Sequence, residues 1–345
     1  GYAYAIEWHH YFAPKLLNNL LNQGIKVKVA TKPFSSQVGG KNREFAAGTL
    51  MIPAGIQSNI DWRTMVEQQS SMQHIPAFAI GTGLTPTGID LGSNSFKLIN
   101  PVNVLMVGGK GISQYEAGEI RYYLDQQLDI PVTVIEHSRF NKTDLAKYSH
   151  IILVDGSYSI LSKTITSKLI NWIRKGGVVF GQKRGAKWLA DKELLRTKFA
   201  SKAQLNQLFE HEGLTYQDKE VLAGRKRIAG AIFNTQIDSS HPLMYGYQGD
   251  NLPIFKNRTL IMNKSKIPFS TVAYYPKSAL LSGYTDMNLV NRLADSAAIV
   301  AHNMGSGRII ASSENLTFRG YWQGTAKILA NSLFFAKAFS VSEKF

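Results

Sequence analysis

Cysteine is absent from the 345 residues of this chain. Its absence excludes disulfide bonds, thiolate metal sites and cysteine nucleophiles. No run of 18 apolar residues is present, so no transmembrane helix is predicted, and no basic-then-apolar signal segment opens the sequence. Acidic residues are few, with 24 Asp and Glu against 39 Lys and Arg, which gives a formal charge of +15. This charge favours acidic partners, although a solvated basic surface without a dedicated ligand is the more common outcome.

Two basic clusters stand out, "KRGAKWLADKELLRTK" at residues 183–198 and "GRKR" at residues 224–227. The first cluster also contains Asp191 and Glu193 and has apolar residues at helical spacing, so it predicts a helix with a solvated face. The sequence has no RNA-binding signature with interleaved aromatics, no zinc-finger spacing and no basic region leading into heptads. Nucleic acid is therefore not an expected partner.

Alternating strand and helix patterns predict two regions. Residues 1–100 read as a small α/β domain that opens with a strand, a helix and a second strand. Residues 101–345 contain four strands separated by helices, which predicts a doubly wound parallel sheet. Shorter strands around residues 200–296 predict an antiparallel insertion. A hairpin turning at Gly305 to Gly307 and a terminal helix from about Gln323 to Lys337 complete the predicted fold.

Ligands of such sheets bind at the carboxyl ends of the strands. The segments that follow three predicted strands, Gly108 to Gly111, Asp155 to Tyr158 and Gln182 to Gly185, should therefore line one edge. Within them, Asp155 and Ser157 could face a ligand, but capping the following helix is the more common use of such a pair.

The stretch "VVFGQKRGAKWLA", residues 178–190, predicts a buried strand, a glycine-flanked corner and the start of a helix, which are the parts of a nucleophile elbow. Gly181, Lys183 and Gly185 form the corner. This run resembles the Gly-x-Cys-x-Gly elbow of class I glutamine amidotransferases with Lys183 at the cysteine position. The resemblance implies a flavodoxin-like, amidotransferase-like fold whose glutaminase activity is lost.

The partner segment of those enzymes is also incomplete. "IIASSENLTFRG" offers Glu314 without a preceding histidine, and His241 with Pro242 comes earlier in the chain than the His-Pro-Glu-type segment would. Lys183 could act as an amine nucleophile beside Arg184, but a structural or anion-binding lysine is the favoured interpretation. The candidate cleft residues are Asp155, Ser157, Arg184, His241, Glu314, Arg319 and Trp322. A core-closing segment in which Glu314 pairs with Arg319 is an equally good interpretation of the last three.

A broader resemblance covers nearly the whole chain. The amino-terminal "YAIEWHHYFAPKLLNNLLNQGIKVKVATKPF", then "HPLMYGY" and, above all, "NLTFRGYWQGT" are similar to the carboxyl-terminal region of large bacterial zinc carboxypeptidases. In that family a catalytic peptidase domain precedes an amidotransferase-like domain. The resemblance implies that this chain is part of a longer, periplasmic or secreted metallopeptidase.

The zinc site of that family uses a His-x-x-Glu pair and a distant histidine, which leave one position open for water. None of the eight histidines here is followed by Glu at the third position. His9 and His10, adjacent on a predicted strand, should point to opposite faces and not share a metal. No metal or other cofactor is therefore expected in this chain, and zinc is expected only in the peptidase domain.

These observations predict a non-catalytic accessory region, a pseudoenzyme relative to amidotransferases. It would dock on the peptidase domain of the same parent chain, or bind a peptide or an anionic cell-wall ligand through its basic surface. The alternative is a stand-alone hydrolase or amidotransferase-like enzyme that uses Lys183, Glu314 or His241. A pure assembly module is a third possibility.

Overall fold

The computed structural model describes residues 1–58, 61–159 and 161–342. The amino-terminal region contains β1 (Ala3–Ile6), α1 (Ala13–Asn22), β2 (Val27–Ala30), β3 (Phe34–Val38), β4 (Lys41–Phe45), β5 (Leu50–Pro53), α2 (Trp62–Gln73), β6 (Phe78–Ile80) and β7 (Phe96–Ile99). Five of these strands form one sheet in the order β6-β1-β5-β2-β7, and β3 pairs with β4.

The predicted strand, helix and second strand are present as β1, α1 and β2. In α1, four leucines lie on the buried side: Leu16, Leu17, Leu20 and Leu21. However, β1 and β2 do not pair with each other, because β5 lies between them and runs antiparallel to both. This sheet is therefore built from antiparallel neighbours throughout its described strands.

The carboxyl-terminal region supplies the remaining elements. They are β8 (Val104–Gly108), α3 (Gln114–Arg121), β9 (Val132–Glu136), β10 (His150–Leu153), α4 (Lys163–Arg174), β11 (Val178–Gln182), α5 (Arg184–Asp191), α6 (Lys202–Asn206), α7 (Asp218–Arg225), β12 (Ala231–Ile237), β13 (Asn251–Lys256), β14 (Met262–Asn263), β15 (Thr271–Tyr274), β16 (Leu280–Gly283), α8 (Met287–Leu293), β17 (Ser296–Met304), β18 (Gly307–Ser312) and α9 (Gln323–Phe334).

A mixed sheet of eleven strands dominates this region. Its path runs β13-β12-β15-β17-β18-β11-β10-β8-β9, with β14 and β16 paired beside it. The five strands β9, β8, β10, β11 and β18 are parallel to one another. β18 also pairs antiparallel with β17, and the remaining strands pair antiparallel. Numbered by their order along the chain, the parallel strands lie in the order 2-1-3-4-5. The predicted α/β class with a mostly parallel sheet and antiparallel strands is confirmed.

The hairpin predicted at Gly305 to Gly307 is present, with Met304 opposite Gly307. The helix predicted over residues 183–198 is too long, because α5 ends at Asp191. Glu193 then adopts a left-handed conformation with φ of 58°. The next two N–H groups, those of Leu194 and Leu195, both donate to the Leu189 carbonyl. A left-handed residue with such bonds is a common way to end a helix, and it directs both leucines into the core.

One continuous hydrophobic cluster includes residues of both sheets, from Ile6 and Val27 to Val104 and Ile310. The chain passes from the first sheet to the second between the end of β7 and the start of β8. No helix in the described ranges is long and apolar enough to cross a membrane, as predicted from the sequence.

Candidate functional site

The corner between β11 and α5 has the backbone of a nucleophile elbow. Lys183 adopts φ of 51° and ψ of −118°, a conformation that is strained for any residue with a side chain. Its N–H donates to the Ser312 carbonyl at 2.9 Å. A Cβ at Gly185 would lie 2.2 Å from the Leu153 carbonyl oxygen, and a Cβ at Gly181 would lie 2.7 Å from Leu189 Cδ1. Both glycines are therefore needed for the close approach of helix and strands.

The side chain at the corner is buried in an ion-pair network. Lys183 Nζ lies 2.5 Å from Glu116 Oε1 and 4.0 Å from Asp155 Oδ2. It also donates to Asn257 Oδ1 at 2.9 Å. The second Glu116 oxygen accepts from Gln182 Nε2 at 2.9 Å. The ammonium group thus donates to α3 and to the segment after β13, and the loop after β10 supplies a second carboxylate at ion-pair distance.

Asp155 lies at the amino end of α5 and forms ion pairs with two arginines. Arg184 donates its backbone N–H at 3.2 Å and its Nε at 2.7 Å to Asp155 Oδ1. Arg258 Nη2 lies 3.3 Å from Asp155 Oδ2. Burial alone would raise the pKa of Asp155, but the hydrogen bonds from Arg184 and the charges of Lys183 and Arg258 lower it overall. The carboxylate therefore fills the position where an elbow stabilises negative charge.

The pKa of Glu116 is raised because burial disfavours its ionised form, while Lys183 acts against this effect. Glu116 is 5% exposed and Lys183 is 3% exposed. Two buried carboxylates are thus held together by cations that approach from different sides. Such a network is costly to break, because removing one partner leaves a buried charge without its counterion.

A cleft of about 1120 Å³ opens beside this network. Seven cationic side chains line it: Lys183, Arg184, Lys187, Lys226, Arg227, Arg258 and Arg319. The acidic lining residues are Glu116, Glu119 and Asp155. The exposed ring of Tyr115 and the ring of Phe318 supply apolar surface at the same cleft. A cleft with this excess of positive charge attracts anions.

Among the residues that the structure describes, some of the cations that line the cleft already have a partner within the protein, and others have no carboxylate partner. Lys187 pairs with Asp191 at 2.6 Å, and Lys226 Nζ lies 2.8 Å from His211 Nε2. Within the described residues, no carboxylate lies within ion-pair distance of the exposed guanidinium groups of Arg227 and Arg319. Arg319 lies over the Phe318 ring, 5.2 Å from its centroid. These two arginines are the groups best placed to bind an incoming anion.

The structure brings together part of the predicted site. Asp155, Arg184 and Arg319 line the cleft with Lys183. Ser157 lies outside it, with its hydroxyl 3.2 Å from that of Ser159. The predicted cap formed by Asp155 and Ser157 for the following helix is not formed, because Ser162 caps α4 by accepting from the Ile165 N–H. Asp155 therefore lines the cleft, whereas Ser157 does not.

Glu314 is buried away from the cleft in an ion pair of its own. Its Oε1 lies 2.5 Å from Lys256 Nζ and accepts from the Tyr275 hydroxyl at 2.7 Å. Trp322 also lies outside the cleft lining, with its ring 6.4 Å from that of Phe255. The predicted pairing of Glu314 with Arg319 is not formed, because the Glu314 carboxylate pairs with Lys256 instead.

His241 is buried outside the cleft lining. Its ring lies against that of Phe339, with centroids 4.7 Å apart, and its Nδ1 accepts from the Leu243 N–H at 3.1 Å. Burial lowers the pKa of His241 to about 4. The imidazole is therefore neutral near pH 7, and it caps the turn at Pro242 instead of lining the cleft.

Several residues of the site were missed by sequence reasoning. Glu116 follows Ser113 by three residues, which is the spacing of a helix cap, and Ser113 does accept the Glu116 N–H. Its carboxylate, however, binds Lys183. Asn257 and Arg258 follow an edge strand of the inserted region and carry no local signal of a site. The cluster at residues 224–227 was noted for its charge, but its position at the cleft depends on how the insertion folds.

No protein family model and no curated protein sequence matches this chain. Similar solved structures include a ThuA-like protein from Bacteroides uniformis, at 10% identity and a TM-score of 0.43, covering 66% of this chain and 88% of that one. A cytoplasmic protein from Salmonella typhimurium LT2 is 11% identical with a TM-score of 0.40, covering 67% and 99%. A β-galactosidase from Bacillus circulans is 9% identical with a TM-score of 0.38, covering 67% and 30%.

Proposed function

We propose that this chain is a non-catalytic module that binds an acidic ligand in the cleft beside the elbow. The observation that carries the proposal is the arrangement around Lys183. A residue at the nucleophile position is directed into the protein by Glu116 and Asn257, while the surrounding cations line the cleft. The elbow thereby positions charge and does not attack a substrate.

The expected ligand is a peptide or cell-wall polymer that carries carboxylate or phosphate groups. Arginine binds such groups through two parallel hydrogen bonds. Arg227 and Arg319 are exposed at the cleft, and Tyr115 and Phe318 offer surface for the apolar parts of a ligand. This combination favours a flexible acidic chain over a bare inorganic ion.

The parent protein remains a proposal that depends on the sequence resemblance to zinc carboxypeptidases. In this proposal the chain is an accessory region, periplasmic or secreted, that acts beside a peptidase domain of the same parent. The strand order 2-1-3-4-5 supports the finer fold proposal, because flavodoxin-like sheets have this order. An amidotransferase-like ancestry would account for an elbow without a nucleophile.

The alternative enzyme would need Lys183, Glu314 or His241 to act on one bound substrate. Lys183 lines the cleft, whereas Glu314 and His241 are buried elsewhere with partners of their own. The geometry therefore gives the alternative less support than the binding module.

Binding of a fluorescently labelled oligoglutamate peptide tests the proposal. Titrating the chain while monitoring anisotropy should reveal saturable binding that weakens as salt is raised from about 50 to 300 mM, because screening shortens the reach of the cleft charges. The double variant Arg227→Ala with Arg319→Ala should bind at least about tenfold more weakly, since two charge-assisted hydrogen-bonding groups are lost.

The matched control is the double variant Lys26→Ala with Lys97→Ala, which removes the same charge from exposed positions of the amino-terminal region. It should bind like the unmodified chain. Equal weakening in both double variants would mean that net charge, not the cleft, holds the peptide. Absence of binding to both oligoglutamate and a teichoic acid polymer would contradict the proposed function.

A further inference from the structure

A second group of functional side chains lies at residues 7–10, far from the elbow in the sequence. The strand β1 ends at Ile6, and a turn follows before α1 begins at Ala13. In this turn the rings of His9 and His10 lie side by side, with centroids 4.1 Å apart and planes inclined by 31°. The prediction that they point to opposite faces is therefore wrong, because it assumed that the strand continues through them.

Glu7 completes a set of three ligands. One donor atom each from Glu7, His9 and His10 can be chosen so that all three lie within 4.8 Å of one another. Donors that share one tetrahedral zinc ion lie about 3.3 Å apart, given bonds of about 2.0–2.1 Å. Small side-chain rotations close this difference, because His9 is exposed and the other two residues are only partly buried.

The backbone of the turn that carries these side chains is fixed by contacts with α9 and the residue that follows it. Lys327 of α9 donates its Nζ to the Trp8 carbonyl at 2.5 Å and to the His10 carbonyl at 2.7 Å. The Trp8 ring lies 4.6 Å from that of Phe335, and its Nε1 donates to Asn331. A fixed backbone lowers the ordering cost of bringing three ligands to one ion.

The present partner of Glu7 is replaceable. Arg43 Nη2 donates to the two Glu7 oxygens at 3.0 and 3.1 Å, in a pair that is partly open to solvent. Pairs of this kind contribute little to stability. Arg43 also lies over the Phe78 ring, 3.9 Å from its centroid, so it keeps a favourable position when Glu7 turns toward an ion.

We propose that Glu7, His9 and His10 bind a divalent ion of the zinc class at this turn. Imidazole nitrogen is a borderline ligand and Zn²⁺ also binds carboxylate oxygen, so two imidazoles and a carboxylate suit Zn²⁺, with Ni²⁺ and Cu²⁺ as competitors. Three protein ligands leave a coordination position open. Glu7 and His9 also line a cleft of about 480 Å³, together with Thr31, Lys32, Ser239 and Gln248, so a ligand bound there can supply the remaining donor.

This site is separate from the zinc centre expected of a carboxypeptidase. The order here is Glu-x-His-His, which differs from the His-x-x-Glu pair of that family. The proposal assigns binding to the turn and no peptidase chemistry. It also does not depend on the acidic-ligand cleft, which lies on other elements.

Zinc titration of the chain without a histidine tag tests the site. Competition with a chromophoric chelator should reveal one Zn²⁺ per chain, and the double variant His9→Ala with His10→Ala should bind at least about tenfold more weakly, because two ligands are removed. Co²⁺ substituted at the same site should give visible absorption bands of a low-coordinate ion, and these bands should be lost in the variant.

The matched control is the double variant His74→Ala with His211→Ala, which removes two other histidines that are exposed. It should retain the affinity of the unmodified chain. Glu7→Gln should weaken zinc binding while urea unfolding stays close to that of the unmodified chain. Equal zinc affinity in the His9/His10 variant and the unmodified chain, or no zinc binding at about 100 μM, would overturn the proposal.

Discussion

Replacing Lys183 with methionine tests whether the elbow is a structural ion-pair centre. Methionine keeps the length of the side chain and the backbone strain but removes the charge that lies 2.5 Å from Glu116. Breaking a buried pair by removing one partner costs about 3–5 kcal/mol. Gln182 still donates to the second Glu116 oxygen, so the lower end of this range is expected. Urea unfolding at pH 8, followed by tryptophan fluorescence, measures the loss.

The loss should shrink as the pH falls, because Glu116 can then take up a proton. From its ordinary pKa of 4.5, protonation costs at most about 5 kcal/mol at pH 8 but under about 1 kcal/mol at pH 5. The sign follows from the raised pKa of Glu116 in the folded chain. The folded state favours the neutral acid, so its stability relative to the unfolded chain increases as pH falls through the raised folded pKa toward the ordinary value of 4.5. The variant should therefore recover at least about 2 kcal/mol between pH 8 and pH 5.

Two further variants decide whether the charge pair is the cause. Lys183→Met combined with Glu116→Gln should recover most of the loss at pH 8, because no buried charge is left without a partner. Lys187→Met, on the same helix, removes an exposed pair with Asp191 and should cost below about 0.5 kcal/mol. The reasoning is refuted by a single variant within about 1 kcal/mol of the unmodified chain, or by a double variant no more stable than the single one.

Two other predictions concern the elbow glycine and the buried histidine. Gly185→Ala should lower the free energy of unfolding by about 3 kcal/mol, because its Cβ would lie 2.2 Å from the backbone oxygen of Leu153. A Cβ at Gly224 in α7 meets nothing within 4 Å, so Gly224→Ala should raise the free energy of unfolding by up to about 1 kcal/mol. Similar effects of the two variants in urea unfolding would contradict this prediction. Stability should decrease by up to about 3 kcal/mol between pH 6.5 and pH 4 through His241, whose folded pKa of about 4 makes the unfolded chain bind the proton more tightly in that window. His241→Asn keeps an acceptor for the Leu243 N–H and should flatten this decrease, so an unchanged pH profile would remove His241 as its cause.

Local patterns predicted those parts of the fold that depend on neighbours in sequence. The strand at β11, the glycine corner and the hairpin at Gly305 each combine a hydrophobic run with residues that favour a turn. The prediction failed where the same spacing of apolar residues fits both a continuing helix and a helix that ends. The helix expected over residues 183–198 ends early, because burying Leu194 and Leu195 requires a left-handed residue that helical spacing alone does not reveal.

The site was predicted less completely for a related reason. Sequence reasoning placed Lys183, Arg184 and Asp155 at one sheet edge, because parallel strands bring their carboxyl ends together. Arg258 belongs to the antiparallel insertion, whose approach to that edge depends on tertiary packing. The spacing of Glu116 from Ser113 is explained by helix capping alone. Nothing in that local pattern indicates that the Glu116 carboxylate binds Lys183, which is 67 residues away in the sequence.

The backbone at Lys183 is strained although the proposed role of this residue is not reactivity. A residue with a side chain in this conformation costs about 1–3 kcal/mol, so the neighbouring structure must stabilise it. Hydrogen bonding to Ser312 and the close approach of Gly185 to Leu153 hold the backbone, and the pairs with Glu116 and Asp155 hold the side chain. Because Asp155 also binds Arg184 and Arg258, the same network fixes the positions of cations that line the cleft. In the proposed function, positioning those cations is what the elbow contributes, and this contribution needs the shape of the corner but no nucleophile.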